Sequence, residues 1–259
     1  MRRRTGAGVI DLTGLNAVVT GGNGGIGLGM ATGMAKAGAN IAIWARDEAK
    51  SAEAVAGLEK LGVRALALTC DVADEAQVAD AMERTVSELG PLGCLVANSG
   101  TSGRHTVVES SLEDWRRIMS VNLDGAFLTC REAARRFVDQ GSGGSIVVVS
   151  SMIAAFGGVG QSAYAASKTG LLGLSRTLAV ELARHRVRVN ALIPGWTVTG
   201  LSSGGYADDR FRTATTQRTP VRRWADPAEF EEVGAYLADP SLTFHTGDEV
   251  RIDGGYTIF

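Results

Sequence analysis

Short apolar runs alternate with longer segments of helical periodicity along almost the whole chain. An apolar run of four to eight residues is typical of a strand buried on both faces, and its alternation with helices is typical of a parallel sheet covered by helices. This pattern predicts seven strands, at residues 17–20, 41–44, 65–69, 94–97, 146–150, 187–192 and 249–252. It predicts helices at residues 26–37, 48–61, 75–89, 112–139, 162–185 and 227–238. The expected fold is therefore an α/β doubly wound parallel sheet with helices on both faces.

One long stretch, residues 194–226, has no clear periodicity. Loops of that length in compact domains are usually functional or mobile, so we predict that this segment covers the substrate, with a disordered insertion as the alternative. No internal repeat and no domain linker interrupts the pattern. We therefore expect one domain over residues 1–259, with a loose N-terminal lead-in at residues 1–12.

Composition removes several classes of function. A net charge of −2 over 259 residues supplies no general attraction for nucleic acid, and no apolar stretch is long enough to span a membrane, so we expect neither partner. Cys70, Cys94 and Cys130 are odd in number and lie in apolar surroundings, which favours reduced thiols and a cytoplasmic location. The three histidines have no partner at ligand spacing, so we predict no catalytic metal and expect an organic cofactor.

A glycine-rich turn follows the first predicted strand and opens the first helix, with the sequence Thr20-Gly21-Gly22-Asn23-Gly24-Gly25-Ile26-Gly27. Glycines in this context permit a tight turn and let the backbone approach a pyrophosphate, whose charge is met by the amides of the helix N-terminus. The turn predicts a Rossmann-type dinucleotide site that contains Gly21, Asn23, Gly25, Ile26 and Gly27.

The second strand ends near Arg46, in the region that contacts the adenine ribose. An acidic residue there usually binds the 2′-hydroxyl of NAD, whereas an arginine accommodates the 2′-phosphate of NADP. Asp47 follows, but it is better placed to cap the next helix. We therefore predict a preference for NADP(H), with NAD(H) as a possible cofactor.

Tyr164 and Lys168 are four residues apart in a predicted helix, so both project from one face. A fixed ammonium beside a phenol favours the phenolate, so we expect Lys168 to lower the pKa of Tyr164 toward the working range. Ser151 follows a predicted buried strand, at the edge where open α/β sheets bind ligands. Together with the glycine turn, these residues predict acid–base chemistry beside a nicotinamide.

At these residues the chain resembles the compact, single-domain branch of the short-chain dehydrogenase/reductases, over essentially its whole length. The family pattern TGxxxGxG is met by Thr20, Gly21, Gly25 and Gly27, and the pattern YxxxK by Tyr164 and Lys168. The glycine spacing differs from the TGxxGxxG of the longer, sugar-nucleotide-modifying branch. The resemblance implies a catalytic tetrad of Asn122, Ser151, Tyr164 and Lys168.

The same resemblance implies the cofactor contacts. Asp71 and Val72 would hold the adenine, and Asn98 and Gly100 would lie beneath the nicotinamide ribose. Lys168 would bind that ribose, and Asn122 would hold a water that links Lys168 to solvent. The carboxamide and phosphate side would be held by Pro194, Gly195, Thr197 and Thr199. The chain departs from the family's usual NNAG, because it reads Ala97-Asn98-Ser99-Gly100.

The function expected from residues and resemblance is an NADP(H)-dependent oxidoreductase that interconverts a secondary alcohol and a ketone. A small ketone, a sugar or polyol, and a 3-oxoacyl thioester all remain open as substrates. The alternatives are a non-catalytic NADP-binding sensor or scaffold, and a dehydratase or epimerase. Relatives usually pair their long helices, so we expect a homo-oligomer, either a dimer or a homotetramer.

Overall fold

The computed structural model describes residues 10–259, which form one parallel sheet and the helices around it. The strands are β1 (Asn16–Thr20), β2 (Asn40–Ala45), β3 (Ala65–Thr69), β4 (Cys94–Ala97), β5 (Gly144–Val149), β6 (Val187–Pro194) and β7 (Glu249–Ile252). The α-helices are α1 (Gly25–Lys36), α2 (Glu48–Glu59), α3 (Glu75–Leu89), α4 (Leu112–Met119), α5 (Gly125–Gln140), α6 (Ser162–Leu182), α7 (Ser203–Ala207), α8 (Asp209–Arg218) and α9 (Glu231–Ala238).

The sheet has the order β3-β2-β1-β4-β5-β6-β7, and every pair of neighbouring strands is parallel. The strand order reverses between β1 and β4, because β2 and β3 extend the sheet on one side and β5 to β7 extend it on the other. In such a sheet ligands bind outside the carboxyl ends of the strands at this reversal. The predicted Rossmann-type sheet of seven strands is confirmed.

Two apolar cores lie on opposite faces of the sheet. One contains side chains of α3, α5 and α6, including Met82, Phe137 and Leu171. The other contains side chains of α1, α2 and α9, including Met34 and Leu237. The strands β1 and β5 are buried on both faces, which is why they read in the sequence as apolar runs, whereas the equally buried β6 also contains Arg188 and Asn190.

The helix predicted at residues 112–139 is interrupted. A turn of π-helix at Ser120–Asp124 separates α4 from α5. Asn122 lies in this turn and is fully buried, with its amide group bonded to main-chain atoms of Thr101. These contacts join residues that are distant in sequence, so the local pattern did not reveal the turn.

The segment 194–226 differs from the predicted loop, because it contains α7 and α8. The side chain of Asp208 caps α8 by accepting hydrogen bonds from the amides of Arg210 and Phe211. A loose lead-in was predicted at residues 1–12, of which residues 1–9 lie outside the described residues. Its last residues are not loose, since Leu12 is fully buried and its amide donates a hydrogen bond to the oxygen of Ala37.

All three cysteines are unpaired and buried. Over residues 10–259 no helix is both long and apolar enough to cross a membrane. In the same range, no three His, Cys, Asp or Glu side chains are grouped as they would be around a metal ion.

Candidate active site

The glycine turn between β1 and α1 needs glycine for steric reasons. Gly21 and Gly25 have φ values of +63° and +55°, which side chains rarely adopt. A Cβ atom on Gly27 would lie 2.5 Å from Nδ2 of Asn98 and 2.7 Å from the oxygen of Gly21. Glycine at these positions therefore allows the positive φ values of the turn and its close packing against Asn98.

Asn98 holds the glycine turn in place from the end of β4. Its Nδ2 donates hydrogen bonds of 2.9 Å and 3.3 Å to the main-chain oxygens of Thr20 and Gly21. Its main-chain N–H donates a hydrogen bond to Thr20 Oγ1. Ser99, which departs from the family pattern, also donates its amide to Thr20 Oγ1, at 3.0 Å. The change from the family pattern at Ser99 therefore keeps the hydrogen bonds between the end of β4 and the glycine turn.

The N-terminus of α1 is chemically distinct from those of the next two helices. Asp47 and Asp74 cap α2 and α3 by accepting hydrogen bonds from the first amides of those helices. No side chain caps α1, which starts after Gly24 and carries no acid in its first turn. Unsatisfied amides and a positive helix end attract an anion, so the start of α1 suits a pyrophosphate.

A cleft of about 390 Å³ runs over the carboxyl ends of the strands, beside this turn. Three of the predicted cofactor residues do not line it: Gly27 lies within α1, and Gly195 and Thr197 line a neighbouring cavity. The structure places the other predicted cofactor residues along the cleft: Gly21, Asn23, Gly25, Ile26, Arg46, Asp71, Val72, Asn98, Gly100, Tyr164, Lys168, Pro194 and Thr199.

One end of the cleft carries two cations. The guanidinium of Arg46 lies 3.7 Å from a carboxylate oxygen of Asp71, and its side chain is 70% exposed. Lys50, in the first turn of α2, lies so close to the glycine turn that a Cβ on Gly24 would be 2.5 Å from its Nζ. Lys50 was not predicted from the sequence, although its position in the first turn of the helix that follows Arg46 was the available signal.

The proposed catalytic side chains lie where β5 meets α6. Ser151 follows β5, and its hydroxyl forms a hydrogen bond with the phenol of Tyr164, which lies in the first turn of α6. Lys168 lies one turn further along α6, and its Nζ donates a 2.9 Å hydrogen bond to the oxygen of Val149. The ammonium is 5.8 Å from the centre of the Tyr164 ring.

The pKa of Tyr164 moves in the direction opposite to the prediction. Burial of the phenol raises its pKa, because a phenolate loses solvation there, and the hydrogen bond with Ser151 only partly opposes this effect. Burial also lowers the pKa of Lys168 to about 8. The expected net fall in the pKa of Tyr164 was therefore wrong: burial of the phenol dominates, and the effect that opposes it comes from Ser151 rather than from Lys168.

The side chain of Asn122 is fully occupied by protein contacts. Its Oδ1 accepts a 2.7 Å hydrogen bond from the amide of Thr101, and its Nδ2 donates to the oxygen of Thr101 and to Ser167 Oγ. Ser167 Oγ in turn donates to the oxygen of Tyr164. Asn122 therefore connects the segment after β4 to the first turn of α6, and its role in holding a water stays a prediction.

A second cavity of about 120 Å³ opens beside the cleft. Both spaces are lined by Tyr164, so the phenol lies where they meet. Among residues 10–259, Arg104 is the only charged residue that lines the second cavity, and its guanidinium lies over the ring of Phe211 at 4.9 Å. The rest of its wall is apolar or neutral: Ile26, Ser102, Ser151, Met152, Ile153, Gln161, Pro194, Gly195, Trp196, Thr197, Thr199, Leu201 and Ser202.

Comparison with known proteins agrees with this geometry. The family model described as enoyl-(acyl carrier protein) reductase matches residues 21–257. A 2-dehydro-3-deoxy-D-gluconate 5-dehydrogenase of Escherichia coli strain K12 is 34% identical over 95% of this chain and 96% of its own length. A cis-4-hydroxycyclohexanecarboxylate dehydrogenase of Sinomonas cyclohexanicum is 40% identical over 93% of this chain and 96% of its own length.

A solved structure gives the same result for the fold. The crystal structure of a gluconate 5-dehydrogenase from Burkholderia cenocepacia J2315 in complex with NADP and tartrate is similar to this chain with a TM-score of 0.92 and 32% identity. The similarity covers 97% of this chain and 98% of that chain.

The fold and the matched relatives define an NAD(P)-dependent oxidoreductase that acts on CH–OH or C=O groups. More specifically, the chain belongs to the short-chain dehydrogenase/reductase family.

Proposed function

We propose that this protein is an NADP(H)-dependent oxidoreductase that interconverts a secondary alcohol and a ketone on a substrate that carries a carboxylate. The observation that carries the proposal is the position of Tyr164. Its phenol lies at the junction between a dinucleotide-sized cleft and a smaller cavity, whose described lining includes one cation, Arg104, and no acidic side chain.

The residues of the cleft fit a dinucleotide. The glycine-rich turn and the uncapped start of α1 would hold the pyrophosphate. When bound, the nicotinamide would supply or take up the hydride. Arg46 and Lys50 would bind the 2′-phosphate of NADP, in agreement with the NADP present in the Burkholderia cenocepacia structure.

Tyr164 would act as the acid in the reduction direction. Its raised pKa keeps the phenol protonated at neutral pH, so that it can donate a proton to the nascent alkoxide. Ser151, hydrogen-bonded to the same phenol, would stabilise the negative charge on that oxygen. Lys168, with a pKa of about 8, is mostly charged at neutral pH and would stabilise the phenolate that remains.

Arg104 would bind the carboxylate of the substrate. It forms no ion pair with any residue in the range 10–259, and its guanidinium is held against Phe211 at the wall of the cavity. The names of two relatives describe hydroxy carboxylates, a 2-dehydro-3-deoxy-gluconate oxidised at carbon 5 and a 4-hydroxycyclohexanecarboxylate. In both compounds the reacting carbon is four bonds from the carboxyl carbon. This favours a substrate for this cavity with the same separation between the reacting carbon and the carboxylate.

The segment 194–226 would cover this substrate. Trp196, Leu201 and Ser202 belong to it and line the second cavity. Phe211, on α8, supports both Arg104 and Trp196 through ring contacts. A covering segment of this kind excludes water and thereby strengthens the electrostatic contacts in the cavity.

The test is reduction of 4-oxocyclohexanecarboxylate and of cyclohexanone by the purified protein with NADPH, followed at the nicotinamide absorbance. Tyr164→Phe should abolish turnover while the affinity for NADPH stays within about twofold. Arg104→Met should lower kcat/KM for the carboxylate by roughly 10- to 100-fold and leave cyclohexanone unaffected, because only the carboxylate loses a charged hydrogen bond. Retention of more than a few per cent of the rate in Tyr164→Phe would contradict the proposal.

The same assay separates the alternatives. NADPH binding without turnover of any carbonyl compound would indicate a sensor or scaffold protein. Turnover of substrate without net change in the nicotinamide would indicate a dehydratase or epimerase.

We also propose that the protein forms a homo-oligomer. Apolar side chains are exposed on the outer faces of α4, α5 and α6, among them Leu112 at 60%, Phe127 at 45% and Val180 at 80%. Exposed apolar groups of neighbouring helices are commonly covered by a second subunit. Light scattering at micromolar concentration should give the mass of a dimer or a tetramer, and a monomer would contradict this proposal.

A further inference from the structure

Gly205 is a buried glycine on α7, and its backbone conformation does not explain why it carries no side chain. It lies within the helix and outside the left-handed region of φ, so other residues could adopt its backbone angles. A Cβ atom on Gly205 would lie 2.6 Å from Nη2 of Arg104 and 3.2 Å from Cε1 of Phe211. The missing side chain therefore makes room for the guanidinium of Arg104.

The guanidinium of Arg104 is packed between α7 and α8. It touches the bare side of Gly205 on α7 and lies over the ring of Phe211 on α8, at 4.9 Å from the ring centre. A guanidinium that stacks on an aromatic ring keeps its N–H donors at its edge. Arg104 is exposed and lines the smaller cavity, so this packing leaves donors for a carboxylate there.

The main chain of Arg104 is packed next to the start of α6. Gly160, shortly before that helix, has a φ of +71°, and a Cβ atom there would lie 3.4 Å from the carbonyl carbon of Arg104 and 3.5 Å from its Cα. Tyr164 lies in the first turn of the same helix. Arg104 therefore has its main chain beside the helix that carries the phenol and its guanidinium on the segment 194–226.

We propose that Gly205 is a positioning residue for the carboxylate of the substrate. Together with the ring of Phe211, it fixes the guanidinium of Arg104 at one place in the cavity wall. A hydrogen bond depends on the distance and direction of its donor, so a fixed guanidinium favours substrates that hold a carboxylate at one separation from the reacting carbon. The inference rests on the proposed function and assigns the selection of that separation to α7 and α8.

Gly205→Ala tests this role, because the added methyl group would displace Nη2 of Arg104, the end of a flexible side chain, and leave α7 in place. With NADPH, it should raise the KM for 4-oxocyclohexanecarboxylate by roughly 3- to 10-fold. The kcat should stay within about twofold, because the carboxylate binds alike in the ground state and the transition state. Cyclohexanone, which has no carboxylate, should keep its kcat/KM within about twofold.

Gly204→Ala is the matched control for this variant. Gly204 is the preceding residue of α7, and a Cβ atom at this position would have no neighbouring atom within 4 Å. The variant therefore adds the same methyl group to the same helix without touching Arg104. It should leave KM and kcat unchanged for both ketones.

A double-mutant cycle tests whether alanine at position 205 acts through Arg104. Arg104→Met removes the guanidinium, so the addition of Gly205→Ala should cause no further rise in the KM for the carboxylate. The midpoint of thermal unfolding gives a second measure that needs no substrate. Gly205→Ala should raise it by ~1–3 °C in Arg104→Met, because alanine favours a helix more than glycine does. It should not raise it in the wild type, where the methyl group displaces the guanidinium.

Three results would overturn the inference. One is an equal loss of kcat/KM for the two ketones in Gly205→Ala, which would mean that the methyl group disturbs the whole segment 194–226. Another is the same rise in KM for the carboxylate in Gly204→Ala. The third is an equal rise in Arg104→Met, which would mean that the alanine acts without the guanidinium.

Failure of the proposed function is distinguishable from these results. It would appear as an absence of turnover in the wild-type protein, or as an equal effect of Arg104→Met on the two ketones. In either case the unfolding comparison would still test the contact between Gly205 and Arg104.

Discussion

Nζ of Lys168 donates a 2.9 Å hydrogen bond to the main-chain oxygen of Val149, the last residue of β5. A second hydrogen bond joins the same two elements: Ser150 Oγ donates a 2.7 Å hydrogen bond to the main-chain oxygen of Lys168. These two bonds join the carboxyl end of β5 to α6. They thereby set Tyr164, one turn earlier on α6, beside Ser151.

Lys168 should titrate near pH 8 in the protein without cofactor. Burial disfavours its ammonium and lowers its pKa from 10.5 to about 8. The chain has only four lysines, Lys36, Lys50, Lys60 and Lys168, so labelling with lysine enriched in ¹³C at Cε gives a simple NMR spectrum. One resonance should titrate near pH 8 and should be missing from Lys168→Arg. Its persistence in that variant would contradict the assignment.

The lowered pKa of Lys168 has a defined effect on stability. Between about pH 8 and pH 10.5 the unfolded chain binds a proton at this lysine that the folded chain has released. The contribution of Lys168 to the free energy of unfolding therefore rises with pH across this window. Denaturant titrations of wild type and Lys168→Met at pH 8 and pH 10 should give a larger increase for the wild type. A smaller increase for the wild type would reverse the sign and refute the prediction.

Replacement by alanine should have opposite effects on the free energy of unfolding at two helical glycines. A methyl group on Gly33 in α1 would overlap the main-chain oxygen of Glu231 in α9, so Gly33→Ala should lower the free energy of unfolding by at least ~1–3 kcal/mol. Gly57 in α2 has no neighbouring atom within 4 Å of its Cβ position. Gly57→Ala should therefore raise that free energy by ~0.5–1 kcal/mol. Urea unfolding measures both, and equal effects would contradict the packing of α1 on α9.

Arg46 should determine the preference between NADPH and NADH. Arg46→Ser should raise the KM for NADPH by roughly 10-fold or more, since a charged hydrogen bond to the 2′-phosphate is lost, while the KM for NADH stays nearly constant. Arg84→Ser is the matched control, because Arg84 is an exposed arginine on α3 that pairs with Asp80 and Glu88. If both variants had the same effect on NADPH, a general loss of positive charge would explain it.

Asn98 should be important for cofactor binding through the glycine turn. Asn98→Ala removes its two side-chain hydrogen bonds, to the oxygens of Thr20 and Gly21, and should cost ~1–3 kcal/mol in the free energy of unfolding. It should also weaken NADPH binding, measured by quenching of protein fluorescence. Asn40→Ala is a control for the loss of a part-buried asparagine on the sheet, since Asn40 bonds to Asn16 and Arg64 at the opposite end of the strands. Unchanged NADPH affinity in Asn98→Ala would contradict the prediction that Asn98 supports cofactor binding by holding the glycine turn in place.

The missed helices in the segment 194–226 show where sequence patterns lose information. Of the residues in α8 only Thr215 is buried, so the helix has almost no apolar stripe to detect. Asp208, which caps α8, was the available local signal. The π-helical turn at Asn122 was missed for another reason, because it is associated with contacts to Thr101 and Ser167, which are distant in sequence.

The sequence by itself determined the seven strands and the main helices between them, the glycine turn and the four-residue spacing of Tyr164 and Lys168, because these depend on the local periodicity and on backbone geometry. Only the tertiary structure decided that the pKa of Tyr164 is raised, that Arg104 lines the smaller cavity, and that the N–H of Trp196 has no acceptor within residues 10–259. Solvation and hydrogen bonding at a side chain depend on every neighbour that the fold brings to it, and those neighbours come from strands and helices far apart along the chain.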